Sequence, residues 1–171
     1  MQVELGDRLE ESQLVLPTPC AGWSVREVLN HSIGVTLKFA EFASGATDRP
    51  RPPAGDLLGA DHRVALRAAA ASSKVAWASV DATRRVDLSF GVFSTDLAAG
   101  INLFDLLAHT WDIAVATGLA VECPDRLWLE GLEAAQAVIG AERDLDHYAA
   151  ERPVAGSAPA RVRFLAFLGR G

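Results

Sequence analysis

Asp105, His109 and Asp112 follow one another at steps of four and three inside the apolar run TDLAAGINLFDLLAHTWDIAVAT, residues 95–117. On a helix these side chains share one face, and Asp105 and His109, one turn apart, can converge on a single point. An ionised carboxylate cannot be buried alone in a marginally stable fold. The cluster must therefore be satisfied by an ion pair, a hydrogen-bond network or a metal ion. A four-residue step also brings the two histidines of HExxH helices onto zinc. Bundle cores hold metals in the same way, between carboxylate and His side chains of facing helices. His31, on the apolar stripe of a second helix, is the candidate third ligand. A buried His is more often part of a hydrogen-bonded core, and His109 can equally pair with Asp112. From spacing alone the metal site and the plain network both stand.

The element carrying His31 has the clearest start in the chain. Residues 17–22 read PTPCAG, a turn-rich breaker. Ser24 and Glu27 have the spacing of a capping box, with Trp23 and Val28 at the positions of a hydrophobic staple. Val28, His31, Val35, Phe39 and Phe42 then recur at steps of three and four. This predicts a helix from residue 24 to about 43 that stops before Gly45.

The following SGATDRPRPPAGDLLG is a surface loop, and the Ala-rich residues 60–80 form a third helix. RRVDLSFGVF reads as a loop or a brief extended segment with no obvious partner strand. The run at 95–117, closed by Gly118, is apolar on nearly every side, as expected of a helix buried all round. Another helix begins near Pro124 and continues through Leu127, Trp128, Leu132, Ala135, Val138 and Ile139. RVRFLAFLG near the end reads as a short amphipathic helix that packs back, and residues 2–15 support only a short helix. The expected fold is all-α, with one domain over residues 1–171.

Composition narrows the function. Half of the 171 residues are hydrophobic and 22% are charged, which argues against disorder. No run approaches the roughly 18 apolar residues of a membrane-spanning helix, and the start MQVELGDRLEESQ lacks the features of a secretory signal. A cytoplasmic protein is expected. The net charge is −6 and the only short basic segment is RPRPP, so neither nucleic acid nor a membrane is an expected partner. Cys20 and Cys123 match no CxxC spacing and read as unpaired buried thiols. Cys123 has one feature of a reactive thiol, a place near a helix start. His62 and His147 sit in polar surroundings and read as solvent-exposed, whereas Trp23, Trp77, Trp111 and Trp128 read as core. There is no glycine-rich phosphate loop and no GxSxG elbow.

PTPCAGWSVREVLNHSIG at 17–34 and INLFDLLAHTWDIAVATG at 101–118 resemble two separated motifs of an actinobacterial family of DinB-like metal-binding proteins. These are related to the N-terminal domain of mycothiol-dependent maleylpyruvate isomerase, and the terminal RFLAFLGR is similar to the family's ending. The resemblance covers most of the chain. It implies a DinB/YfiT-like four-helix bundle, with a short C-terminal helix and a divalent metal held by three residues. By motif, His31 matches the first ligand, Asp105 the carboxylate and His109 the last His.

Two departures temper the transfer. The family has a fuller first helix, whereas fewer than twenty residues precede Cys20 here. A truncated first helix, a misassigned start or a homodimer that completes the bundle are the expectations. The isomerase also carries a further C-terminal domain for which this chain is too short, so maleylpyruvate isomerisation is not carried over.

The expected function is a metal-dependent enzyme of the thiol transferase or isomerase type, acting on a small molecule with mycothiol or another low-molecular-weight thiol. Two imidazoles and a carboxylate suit zinc first, then nickel or manganese. Asp112 or Asn30 would orient a ligand from behind. If Asp112 instead closes the coordination sphere, the alternative is a non-catalytic metal-binding or stress-associated protein.

Overall fold

Caps and breakers mark where the helices begin and end. Ser24 caps the backbone amide of Glu27, and the Glu27 carboxylate accepts from the Ser24 backbone N–H at 2.7 Å. The capping box read from sequence therefore starts the helix that carries His31. In the computed structural model, which describes residues 1–46, 55–88, 90–140, 143 and 148–171, the first helix is α1 (Gln2–Arg8), followed by a 3-10 turn (Glu11–Gln13). Then come α2 (Val25–Ala43), α3 (His62–Ser79), β1 (Arg85–Leu88), β2 (Gly91–Ser94), α4 (Thr95–Thr117), α5 (Asp125–Ile139) and α6 (Ala160–Phe167). His147 and the RPRPP segment lie outside the described residues.

The result is an all-α helical bundle. α2 packs against both α3 and α4, α4 packs against α5, and α6 returns to α5. α1, only seven residues long, lies on α3 and α4. α4 is thus covered from several sides, as its all-round apolar sequence requires. Beside a small alanine cluster, two large apolar clusters fill the bundle. One gathers Phe42, Leu107, Trp128 and Phe164, and the other gathers Leu9, Val25, Val28, Leu29 and Ile113. Among the described residues no helix is long and apolar enough to cross a membrane.

Two expectations change. Within and just after RRVDLSFGVF, β1 and β2 pair antiparallel, with Arg85 opposite Ser94 and Leu88 opposite Gly91. The alternation of β1 puts Val86 and Leu88 into the core and leaves Arg85 and Asp87 outside. Four residues per strand are too few for that alternation to stand out in sequence. His62 is buried rather than exposed, at 2% accessibility, with its Nε2 3.1 Å from the Gly6 carbonyl. The polar residues around it in sequence face away, and α1 covers it.

The C-terminal end of α6 is a Schellman turn. The Arg170 N–H donates to Leu165 and the Gly169 N–H to Ala166, while Gly169 takes φ +74°. This turn reverses the chain and sends the Arg170 side chain back toward α4.

Candidate metal centre

The capping box sets the start of α2, and two turns in, His31 faces the polar side of α4. There Asp105 and His109 lie one turn apart. The Asp105 Oδ1 is 3.4 Å from the His31 Nε2 and 3.6 Å from the His109 Nε2. One donor atom from each of the three residues falls within 4.8 Å of the others. Both distances are at or beyond the limit of a useful hydrogen bond. The shorter of them is close to the separation of two ligands on one metal. Two ligands held at ~2.0–2.1 Å from zinc at the tetrahedral angle lie about 3.3–3.4 Å apart. The donor set, two imidazole nitrogens and a carboxylate oxygen, suits the same ion. His31 and Asp105 keep 33% and 23% of their side-chain surface, so the point where the three converge is reachable from solvent.

Behind His109 the arrangement is closed. Its Nδ1 is 3.1 Å from the Asp112 Oδ2, and Asp112 has no accessible surface. The Arg170 Nε and Nη2 donate to the two Asp112 oxygens at 2.9 Å each. A proton on Nδ1, donated to Asp112, leaves the Nε2 lone pair facing Asp105 and His31. Asp112 therefore stands on the opposite edge of the imidazole from the convergence point. Both its oxygens are engaged by Arg170, and it is placed to orient His109. Asn30 bonds elsewhere among the described residues. Its side-chain amide donates to the Gly55 carbonyl, and its side-chain oxygen accepts from the Leu57 N–H.

Charge follows the same geometry. Burial pushes the Asp105 carboxyl upward, but His109 and His31 outweigh it and hold it below the ordinary carboxylate value. Burial likewise opposes ionisation of Asp112, and hydrogen bonds from His109 and Arg170 prevail and lower it. For His109, burial disfavours the imidazolium, yet Asp105 and Asp112 together hold its pKa above the usual value. The charged forms of the carboxylates are thus the native ones.

Trp23 belongs to this site as much as to the core. Its ring stacks at 6.2 Å on His109 and meets His31 edge-on at 5.0 Å, while His31 and His109 are 4.8 Å apart. The residue before the helix cap therefore walls the centre. Cys20, in the same PTPCAGW turn, lies within 4.8 Å of His109 and Asp112. Burial and then the Asp112 carboxylate push its thiol upward, so the turn presents a neutral thiol. Burial also raises the Cys123 thiol, against the reading of that residue as a thiolate at a helix start.

Sequence reasoning missed Arg170. The signal was present as a glycine closing a short helix and followed at once by Arg, a pattern that aims a side chain back over the helix end.

A family model described as the mycothiol maleylpyruvate isomerase N-terminal domain matches residues 3–114, a stretch that contains His31, Asp105, His109 and Asp112. Uncharacterized proteins from two strains of Mycobacterium tuberculosis are each 30% identical over 160 residues, covering 92% of this chain and 85% of theirs. No solved structure matches significantly. With a family match over well over half its residues and relatives aligned along nearly its whole length, the chain belongs to the mycothiol maleylpyruvate isomerase N-terminal domain family.

Proposed function

We propose that His31, Asp105 and His109 hold one divalent metal ion, zinc before nickel or manganese. On this reading the protein is a metal-dependent enzyme that joins a low-molecular-weight thiol, mycothiol in the first instance, to a small molecule or isomerises it with that thiol. The observation that carries the reading is the place of Asp112. Its oxygens are taken up by Arg170 and His109, so it is not free to complete the coordination sphere. Three protein ligands with an accessible side is the pattern of catalytic rather than structural zinc.

A bound metal would supply Lewis acidity, lowering the pKa of a thiol or water at its open position. The chain's own residues do the rest. Asp112 and Arg170 hold His109 in the tautomer whose Nε2 faces the centre. The exposed flanks of His31 and Asp105 leave the approach, and Trp23 shields the imidazoles on the other side.

The test is metal analysis of the freshly purified protein, followed by incubation with mycothiol and a panel of electrophiles. Stoichiometric zinc with thiol-dependent loss of an electrophile is the expected result. Absence of stoichiometric metal, together with no thermal shift on adding zinc or nickel, would remove the site. Occupied metal with every electrophile unchanged would favour a non-catalytic metal-binding role.

A further inference from the structure

The two ends of the α4–α5 seam carry opposite charge. Toward the start of α4, a groove of about 550 Å³ is lined by Asp96, Glu130 and Glu133, with no basic side chain lining it among the described residues. Toward the end of α4, a cavity of about 360 Å³ has the reverse character. Its walls are apolar: Trp111 and Val115 from α4, Trp128 from α5, and Leu119 and Val121 from the connection between them. Val115 is 51% exposed, so the cavity is open to solvent along α4. Arg161, in the first turn of α6, is the one charged side chain lining it among the described residues. Arg161 has no ion-pair partner among those residues. The Arg8 Nη1 donates to the carbonyl of Ala120, another lining residue, at 2.8 Å, which brings a second guanidinium to the same connection. None of His31, Asp105, His109 and Asp112 lines this cavity. On α4, Trp111, Val115 and Gly118 follow steps of four and three, a face distinct from that of Asp105, His109 and Asp112.

Ligand pockets span roughly 300–1,000 Å³ and combine apolar walls with a few polar groups. Walls that include two indoles suit a flat ring. A guanidinium without a carboxylate beside it favours an anion, and its planar fork matches a carboxylate. A hydrocarbon would leave Arg161 unused. An amine would be repelled by it and would meet carboxylates only in the groove at the other end of the seam.

We propose that this cavity binds a small aromatic monocarboxylate, with its ring against Trp111 and Val115 and its carboxylate on Arg161. The proposal does not rest on the metal reading, since no residue of the centre takes part.

The tryptophans supply the readout. Trp111 and Trp128 line the cavity, whereas Trp23 walls the metal centre and Trp77 lies on α3. The full-length protein as purified is titrated with 2-naphthoate and with its neutral isostere 2-naphthamide, followed by the indole N–H resonances and by thermal denaturation. Naphthoate should shift Trp111 saturably, leave Trp23 in place and raise the Tm. It should bind about fivefold tighter than naphthamide, as a charge-assisted contact with an exposed guanidinium allows. Arg161→Met should bring the two compounds within about twofold of each other. Val115→Glu, at an exposed position, should fold with an unchanged Tm and weaken naphthoate roughly tenfold, because it sets a like charge beside the carboxylate. Equal affinity for naphthoate and naphthamide in the wild type would reduce the cavity to an apolar cleft and overturn the proposal. A naphthoate preference that survives Arg161→Met would overturn it too. A shift confined to Trp23 would place the carboxylate at the metal centre, and no saturable shift of Trp111 would leave the cavity empty; either result counts against the proposal. Metal content is measured separately and is untouched by these outcomes.

Discussion

Arg170 grips Asp112 through two parallel hydrogen bonds of 2.9 Å, across 58 residues of chain. Asp112 in turn faces the His109 Nδ1. The end of the chain thereby sets the orientation of an imidazole near the middle of α4.

Arg170→Met leaves Asp112 as a fully buried carboxylate without its cation. Loss of one partner of a buried pair is expected to cost about 3–5 kcal/mol. Removing an outer partner of a ligating His typically lowers metal affinity by about 10–100-fold. Denaturation of the metal-free protein and zinc titration of the folded fraction check the two effects separately. Wild-type zinc affinity in Arg170→Met would break the proposed link between Arg170 and His109.

Gly169→Ala should reproduce much of that phenotype without touching a charge. Gly169 has φ +74°, and a Cβ there would lie 2.5 Å from the Ala149 Cβ and 2.8 Å from the Ala150 carbonyl. The turn must shift, and Arg170 shifts with it. A destabilisation of about 1–3 kcal/mol is expected, with weaker zinc retention measured on the same samples.

His109→Ala and His62→Ala should separate function from folding. His109→Ala removes one of the three candidate ligands, so metal should be lost along with the stabilisation that binding gives. His62→Ala should retain metal but lose about 1–3 kcal/mol, because it empties a buried site and removes the hydrogen-bond partner that the imidazole gives the Gly6 carbonyl beside the Leu9 N–H. Equal metal content in the two variants would contradict the assignment.

The pH dependence follows from the signs of the shifts. Asp105 and Asp112 are lowered in the folded state, so their contribution is present above the ordinary carboxylate range and lost as pH falls through the depressed values. His109 is raised, so its contribution in the metal-free protein is complete below its unfolded value and lost as pH rises through the folded one. A metal must displace that proton. The zinc-induced rise in Tm should therefore grow between about pH 6 and about pH 8. A shift that does not change with pH would argue against ligation by His109.

Read by itself, the sequence determined the parts of this protein that depend on neighbours in the chain. The Ser24–Glu27 box, the stripe containing His31 and the shared face of Asp105, His109 and Asp112 all follow from helix periodicity and capping, which act over three or four residues. The helices at 60–80, 95–117 and 124–139 were legible for the same reason, and the bundle followed from them. Tertiary structure alone decided the rest. That Arg170, beyond the end of α6, reaches Asp112 on α4, that the His109 Nδ1 faces Asp112, and that α1 covers His62 are outcomes of packing between segments far apart in sequence. No local pattern encodes which helix end meets which face, because burial and long-range ion pairing depend on the whole chain closing at once. That both Asp112 oxygens are hydrogen-bonded therefore turns on an arginine 58 residues away.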